Sequence, residues 1–122
     1  MGASSGNIAV LTLTVTAAAA LAANRFVELD GTYPTAGGKA LGVTRFDAAV
    51  GDLVSVDILG TTIAECGGAV AADAPLMVDA AGKVVTLTGS AKQAVGRALE
   101  AGAGDGAKVE ILLIPSAGLV TA

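Results

Sequence analysis

The chain has no His and no Trp, a single Cys, three Pro, two Phe and one Tyr among 122 residues. Each absence removes a class of activity. Without His, and without carboxylates clustered beside a partner base, the usual means of acid, base and metal catalysis are missing. Cys66 has no second Cys to pair with, so no disulfide framework holds the fold. Its neighbours Ala64, Glu65, Gly67 and Gly68 supply no cation that would lower a thiol pKa, and Cys66 reads as a small buried hydrophobe. Basic residues are also few: seven Lys and Arg stand against eleven Asp and Glu, a net charge of −4. They are scattered singly along the chain, so nucleic acid is not an expected partner, since phosphate binding needs clustered cations.

What is present is aliphatic. Hydrophobic residues make up 53% of the chain and aromatics 2%, so Ala, Val, Leu and Ile must build the core. Burial stabilises by roughly 25 cal/mol per Å² of apolar surface, and Ala offers little area per residue. A lone monomer of this composition is expected to be weakly held, and association would remedy that. The length suits one domain. Function is therefore to be sought in packing and association, with no enzyme activity, no metal and no cofactor expected.

Ile8 to Ala23, IAVLTLTVTAAAALAA, admits two readings. Its apolar centre followed by small residues is like a signal peptide with a cleavage site near Ala22, but no Lys or Arg precedes Arg25. The alternation Leu11-Thr12-Leu13-Thr14-Val15-Thr16 instead puts apolar side chains on one face and threonines on the other, which favours a half-buried strand. A membrane span is not expected, because the run falls short of the roughly 20 residues a bilayer needs. Residues 1–24 are accordingly read as an N-terminal strand or arm with an alanine tract, and 25–122 as one β-barrel-like domain.

From Arg25 on, short apolar runs alternate with turn signals. Phe26–Leu29 leads into Asp30-Gly31, a hairpin signal with Thr32-Tyr33 as the return strand. Extended structure is expected over Ala40–Arg45, and a strand over Leu53–Leu59 with Val54, Val56 and Ile58 on one face and Ser55 and Asp57 on the other. Gly60 should end that strand and Thr61–Cys66 form the next. Leu76–Val78 and Val84–Thr88 flank a turn with Gly82 at the left-handed position, and Ala94–Leu99 and Lys108–Ile114 complete the set. Leu53–Ile63 echoes Pro75–Val85, which suggests two similar hairpin units. Many short strands with turns between them predict an all-β barrel or sandwich of antiparallel strands, with an extended N-terminal strand or arm.

The glycine clusters fail as phosphate loops. Gly37-Gly38-Lys39 is followed by Ala40 rather than Ser or Thr, and Gly102-Ala103-Gly104-Asp105-Gly106 precedes a β-patterned run rather than a helix. Asp47, Asp52 and Asp57 recur every five residues and lack the spacing of a calcium loop; they read as solvated turn and strand-edge charges. An interaction surface is the class that remains. Ile8, Val10, Leu11, Leu13 and Val15, lying before the hairpins, are the candidate partner-binding residues, suited to adding a strand to a neighbouring chain.

The order of phrases carries more than any one of them. RFV (Arg25–Val27), LDG (Leu29–Gly31), AGG (Ala36–Gly38), ALGVTR (Ala40–Arg45), AVGDLVSVDILGTTIAE (Ala49–Glu65), VAADAPLMVDAAGKVV (Val70–Val85), VGRALEA (Val95–Ala101) and VEILLIP (Val109–Pro115) together resemble the small capsid cement or head decoration proteins of tailed bacteriophages. The likeness runs from Leu11 to Pro115. It implies a structural virion protein made in the host cytoplasm, which binds the outer surface of the assembled head as a homotrimer and stabilises contacts between major capsid protein subunits. Neither nucleic acid nor membrane is expected as a partner, on the scattered charge and the short apolar run given above. The alternative on the residues alone is a secreted or surface β-structural protein, adhesin- or fibre-like, with a cleaved N-terminal signal.

Overall fold

In the computed structural model, which describes residues 8–115, the aliphatic runs form eight strands and no helix among the described residues. They are β1 (Ala9–Thr16), β2 (Phe26–Val27), β3 (Gly42–Thr44), β4 (Leu53–Glu65), β5 (Pro75–Val78), β6 (Val84–Thr86), β7 (Gly96–Ala98) and β8 (Lys108–Leu113). Every ladder between them is antiparallel, in the order β2-β3-β4-β8-β7-β5-β6, with β1 added on β4. This sheet curls into a nearly closed barrel, as the apolar periodicity leads one to expect.

The seam between β6 and β2 is joined by isolated contacts rather than a ladder. The Phe26 amide donates to Gly82 O at 2.8 Å across it, and Cys66, just past the end of β4, bridges Val84. Side chains do the rest. Arg25 Nε lies 3.1 Å from Glu65 Oε1, Lys83 Nζ lies 3.6 Å from Glu65 Oε2 and 2.9 Å from Asp105 Oδ1, and an Arg25 guanidinium nitrogen donates to Ala81 O.

Gly60 does not end a strand; β4 passes through it unbroken. Its φ of +104° is open to Gly, and a Cβ there would collide with the Ile8 carbonyl. The consequence is a reversal of faces. Val54, Val56 and Ile58 belong to one buried cluster, whereas Ala64 and Cys66, also even-numbered, belong to the other. A straight pleat would keep all five on one side, so the strand turns over at the glycine, beside the register shifts where Ala9, Leu11 and Thr12 pair with it.

The first half of β4 is thus covered on both faces. Inside the barrel, Phe26, Val43, Leu76, Val84, Val109 and Ile111 form the main core. On the outer face, Val15, Leu21, Val27, Val54, Val56 and Ile58 form a second one. The alanine tract is what covers it. Ala17 and Leu21 are buried there, and the tract is pinned by Leu21 to Ala48, by the Ala22 amide to the Tyr33 hydroxyl (2.8 Å) and by the Ala23 amide to Asp47 Oδ1 (2.7 Å). Small side chains allow that close approach.

Other differences follow from this arrangement. Asp30-Gly31 does turn, with Asp30 Oδ1 accepting from the Thr32 amide and hydroxyl, but Thr32-Tyr33 forms no return strand and β2 pairs with β3 instead. Leu53–Ile63 lies in one strand while Pro75–Val85 is a true hairpin, so the internal echo is not a structural repeat. Asp57 is not solvated. It stands opposite the core residue Val43, faces the barrel interior and is fully buried.

Candidate docking surface

The candidate residues lie on or beside one strand, and burial separates them. β1 pairs with β4 from Ala9 to Thr16. Ile8, Val10, Leu11 and Leu13 are exposed, Val10 most of all at 74%, while Val15 is only 6% exposed and packs in the outer cluster. Four of the five are presented to solvent and Val15 anchors them. Ile8 precedes the strand and is tied by its carbonyl to the Thr61 amide. Met1–Asn7, and residues 116–122 at the other end, lie outside the described residues.

A polar clamp holds the strand from the opposite face. Thr12 Oγ1 donates to Asp57 Oδ1 at 3.0 Å, Thr62 Oγ1 donates to Asp57 Oδ2 at 2.9 Å, and Arg45 Nε lies 3.4 Å from Oδ1. The threonines that alternate with leucine in β1 are therefore not simply a wet face. One of them reaches a buried carboxylate and ties β1 to the barrel.

The outer edge of β1 is open along its middle. Among the described residues β1 pairs with β4 only. The Ala17 amide donates to Asp52 O, and antiparallel alternation from that bond turns the backbone groups of Thr14 and Thr12 away from β4. Open edges are normally blunted with Lys, Pro or inward charges. β1 has none of these, and no charged residue of either sign occurs before Arg25.

Further apolar side chains lie elsewhere on the surface. Phe46, Val50 and Leu53 are exposed at the β3–β4 connection, and Leu99, Leu112 and Ile114 at the β7–β8 side. Sequence alternation had no means of revealing these, because each sits in a run that also feeds the core. The Cys66 thiol is pushed up by burial and by the neighbouring Glu65 carboxylate, the opposite of an activated nucleophile. Among the described residues no three His, Cys, Asp or Glu side chains come together as a metal group, and no helix is long and apolar enough to cross a membrane.

A strand-built barrel that keeps an uncharged edge and apolar patches in the open has the form of an assembly component, and comparison with known proteins says which kind. The model of the phage cement protein family matches residues 4–113. The chain belongs to that family. In structure it is similar to the head fiber gp8.5 N base of bacteriophage phi29, with a TM-score of 0.68 at 18% identity over 92% of this chain and 98% of that one. At that identity the likeness speaks to the fold, which is the same small β-barrel. No curated protein matches. The cement-family chain is thus a structural protein of the phage head, associated with the capsid.

Proposed function

We propose that this chain binds the outer surface of the assembled head as a homotrimer and stabilises the contacts between major capsid protein subunits. The observation that carries the reading is β1. Its exposed Val10, Leu11 and Leu13, with Ile8 just before it, and its open, uncharged edge offer apolar contact and backbone hydrogen bonds together, which is how one chain adds to another through a strand. Family membership supplies the setting. A protein that binds only the assembled lattice stabilises that state by mass action, and many copies make a modest affinity per site sufficient. The role is structural and requires no reaction.

The test is co-sedimentation of the purified chain with expanded heads, with unexpanded heads and with free capsid subunits, alongside light scattering of the chain alone. Selective retention on expanded heads and a trimeric mass are expected. A stable monomer that sediments with none of the three would refute the reading.

A further inference from the structure

The outer hydrophobic cluster is covered unevenly. Ala17 and Leu21 pack in it with Val15, Val54 and Val56, whereas Ile58 and Leu41 floor a cleft of about 460 Å³. Leu29, 75% exposed, and Pro115 form its apolar walls, and Glu28, Asp30 and Lys39 stand at its rim. Ile58 is the β4 residue between those paired with Leu11 and Thr12, so the cleft continues the apolar face of β1.

The rim is charged in a definite sense. Asp30 is held in its turn by Thr32, whose hydroxyl and amide both donate to Oδ1 and keep the carboxyl below its ordinary range. Among the described residues neither Glu28 nor Lys39 has an ion-pair partner. Two carboxylates therefore line the side leaving β2, against one ammonium on the side entering β3. Apolar floors with a few placed polar groups are the usual form of a recognition pocket.

We infer that the cleft takes an aliphatic side chain from an extended segment of the capsid subunit, with a basic residue next to it. The aliphatic anchor packs on Ile58 and Leu41, the basic side chain meets Glu28 and Asp30, and Lys39 faces a backbone carbonyl of the same segment. The identity of the partner rests on the cement reading; the chemistry of the cleft does not.

The experiment titrates the isotope-labelled full chain with two synthetic peptides and follows its amide resonances. The peptides are identical except that a central leucine is flanked by lysines in one and by glutamates in the other. The lysine peptide is expected to shift the amides of Leu29, Leu41 and Ile58 and to bind roughly tenfold more tightly, with the advantage shrinking at high salt. Glu28→Lys should reverse the preference, and Glu28→Gln, a milder change on the same rim, should reduce it. Equal affinities, or shifts confined to other residues, would overturn the inference. So would binding that emerges only after residues 116–122 are removed, because the chain's own end would then be the occupant. Head binding is read separately. Heads bound without peptide selectivity would overturn the cleft inference alone, and selectivity without head binding would remove the capsid subunit as the partner.

Discussion

The Asp57 carboxylate receives Thr12 from β1, Thr62 from beyond the turn-over at Gly60, and the Arg45 guanidinium from the end of β3. A fully buried charge needs such partners, since an uncompensated one costs several kcal/mol. Asp57→Ala removes the carboxylate that Thr12, Thr62 and Arg45 share, and is expected to destabilise by about 2–4 kcal/mol. Asp57→Asn keeps the shape and one acceptor, and should cost less, about 1–2 kcal/mol. Urea unfolding of both variants checks the order; a neutral Asp57→Ala would mean that the clamp does not hold β1. This residue was not legible beforehand for a physical reason. The alternation in Leu53–Leu59 separated Asp57 correctly from Val54, Val56 and Ile58, but a polar face is read as a wet face, and nothing local says that a second layer of chain will cover both sides of one strand. The same holds for Val15, which belongs by alternation with Leu11 and Leu13 yet is buried because residues 17–24 fold back over its end of the sheet.

The apolar runs located every strand, but β2, β3, β6 and β7 keep only two or three residues of the runs that hold them, because their length is set by the neighbours they pair with. Gly60 was misread for a related reason: glycine in a strand can end it or turn it over, and only the position of Ile8 across the ladder decides. The seam is held by charges, and its pH dependence has a definite sign. Burial pulls the Glu65 carboxyl up, but Arg25 and Lys83 together outweigh it and hold it below its ordinary 4.5. A carboxyl lowered in the folded state contributes stability that is fully present above its unfolded value and is lost as pH falls through the folded one. Glu65→Gln should therefore be less stable than the parent at neutral pH, by about 1 kcal/mol for a partly exposed pair, and the two should converge as the pH drops well below 4.5. Thermal melts across pH 3–7 give the comparison, and a constant gap would assign Glu65 no electrostatic part. For β1, deletion and surface substitution should behave differently. Removing residues 9–16 strips Val54, Val56 and Asp57 of cover and is expected to unfold the barrel. Val10→Lys with Leu13→Lys changes exposed positions, and should leave the melt within a few degrees while abolishing co-sedimentation with heads.

The molecule as a whole combines a fine-grained interior with an incomplete exterior. Aromatics are 2% of the chain, and its largest fully buried side chain is Phe26, followed by Leu76 and Ile111. Meanwhile twelve large hydrophobic side chains among the described residues remain exposed. Scattered singly they would need no explanation, but ten of them fall on or beside β1, the β3–β4 connection and the β7–β8 side, and exposed apolar side chains gathered in this way are the kind that association covers. On the proposed reading a fine-grained core and an apolar surface belong together, because association completes the burial that folding leaves open. Such a coupling makes stability depend on concentration. If a trimer is the working form, the melting temperature should rise as the chain is concentrated, by roughly 3–5 °C per hundredfold increase, and should rise further on heads, where the lattice presents many neighbours. Val10→Lys with Leu13→Lys separates the two contributions. A variant that keeps the concentration dependence but loses the gain on heads would assign β1 to the capsid contact, with Phe46, Val50 and Leu53 or Leu99, Leu112 and Ile114 left to join copies of the chain. Loss of both would make β1 the joint between copies. A melt flat with concentration in the parent would show that the barrel is sufficient alone, and that its apolar surface is reserved for the head.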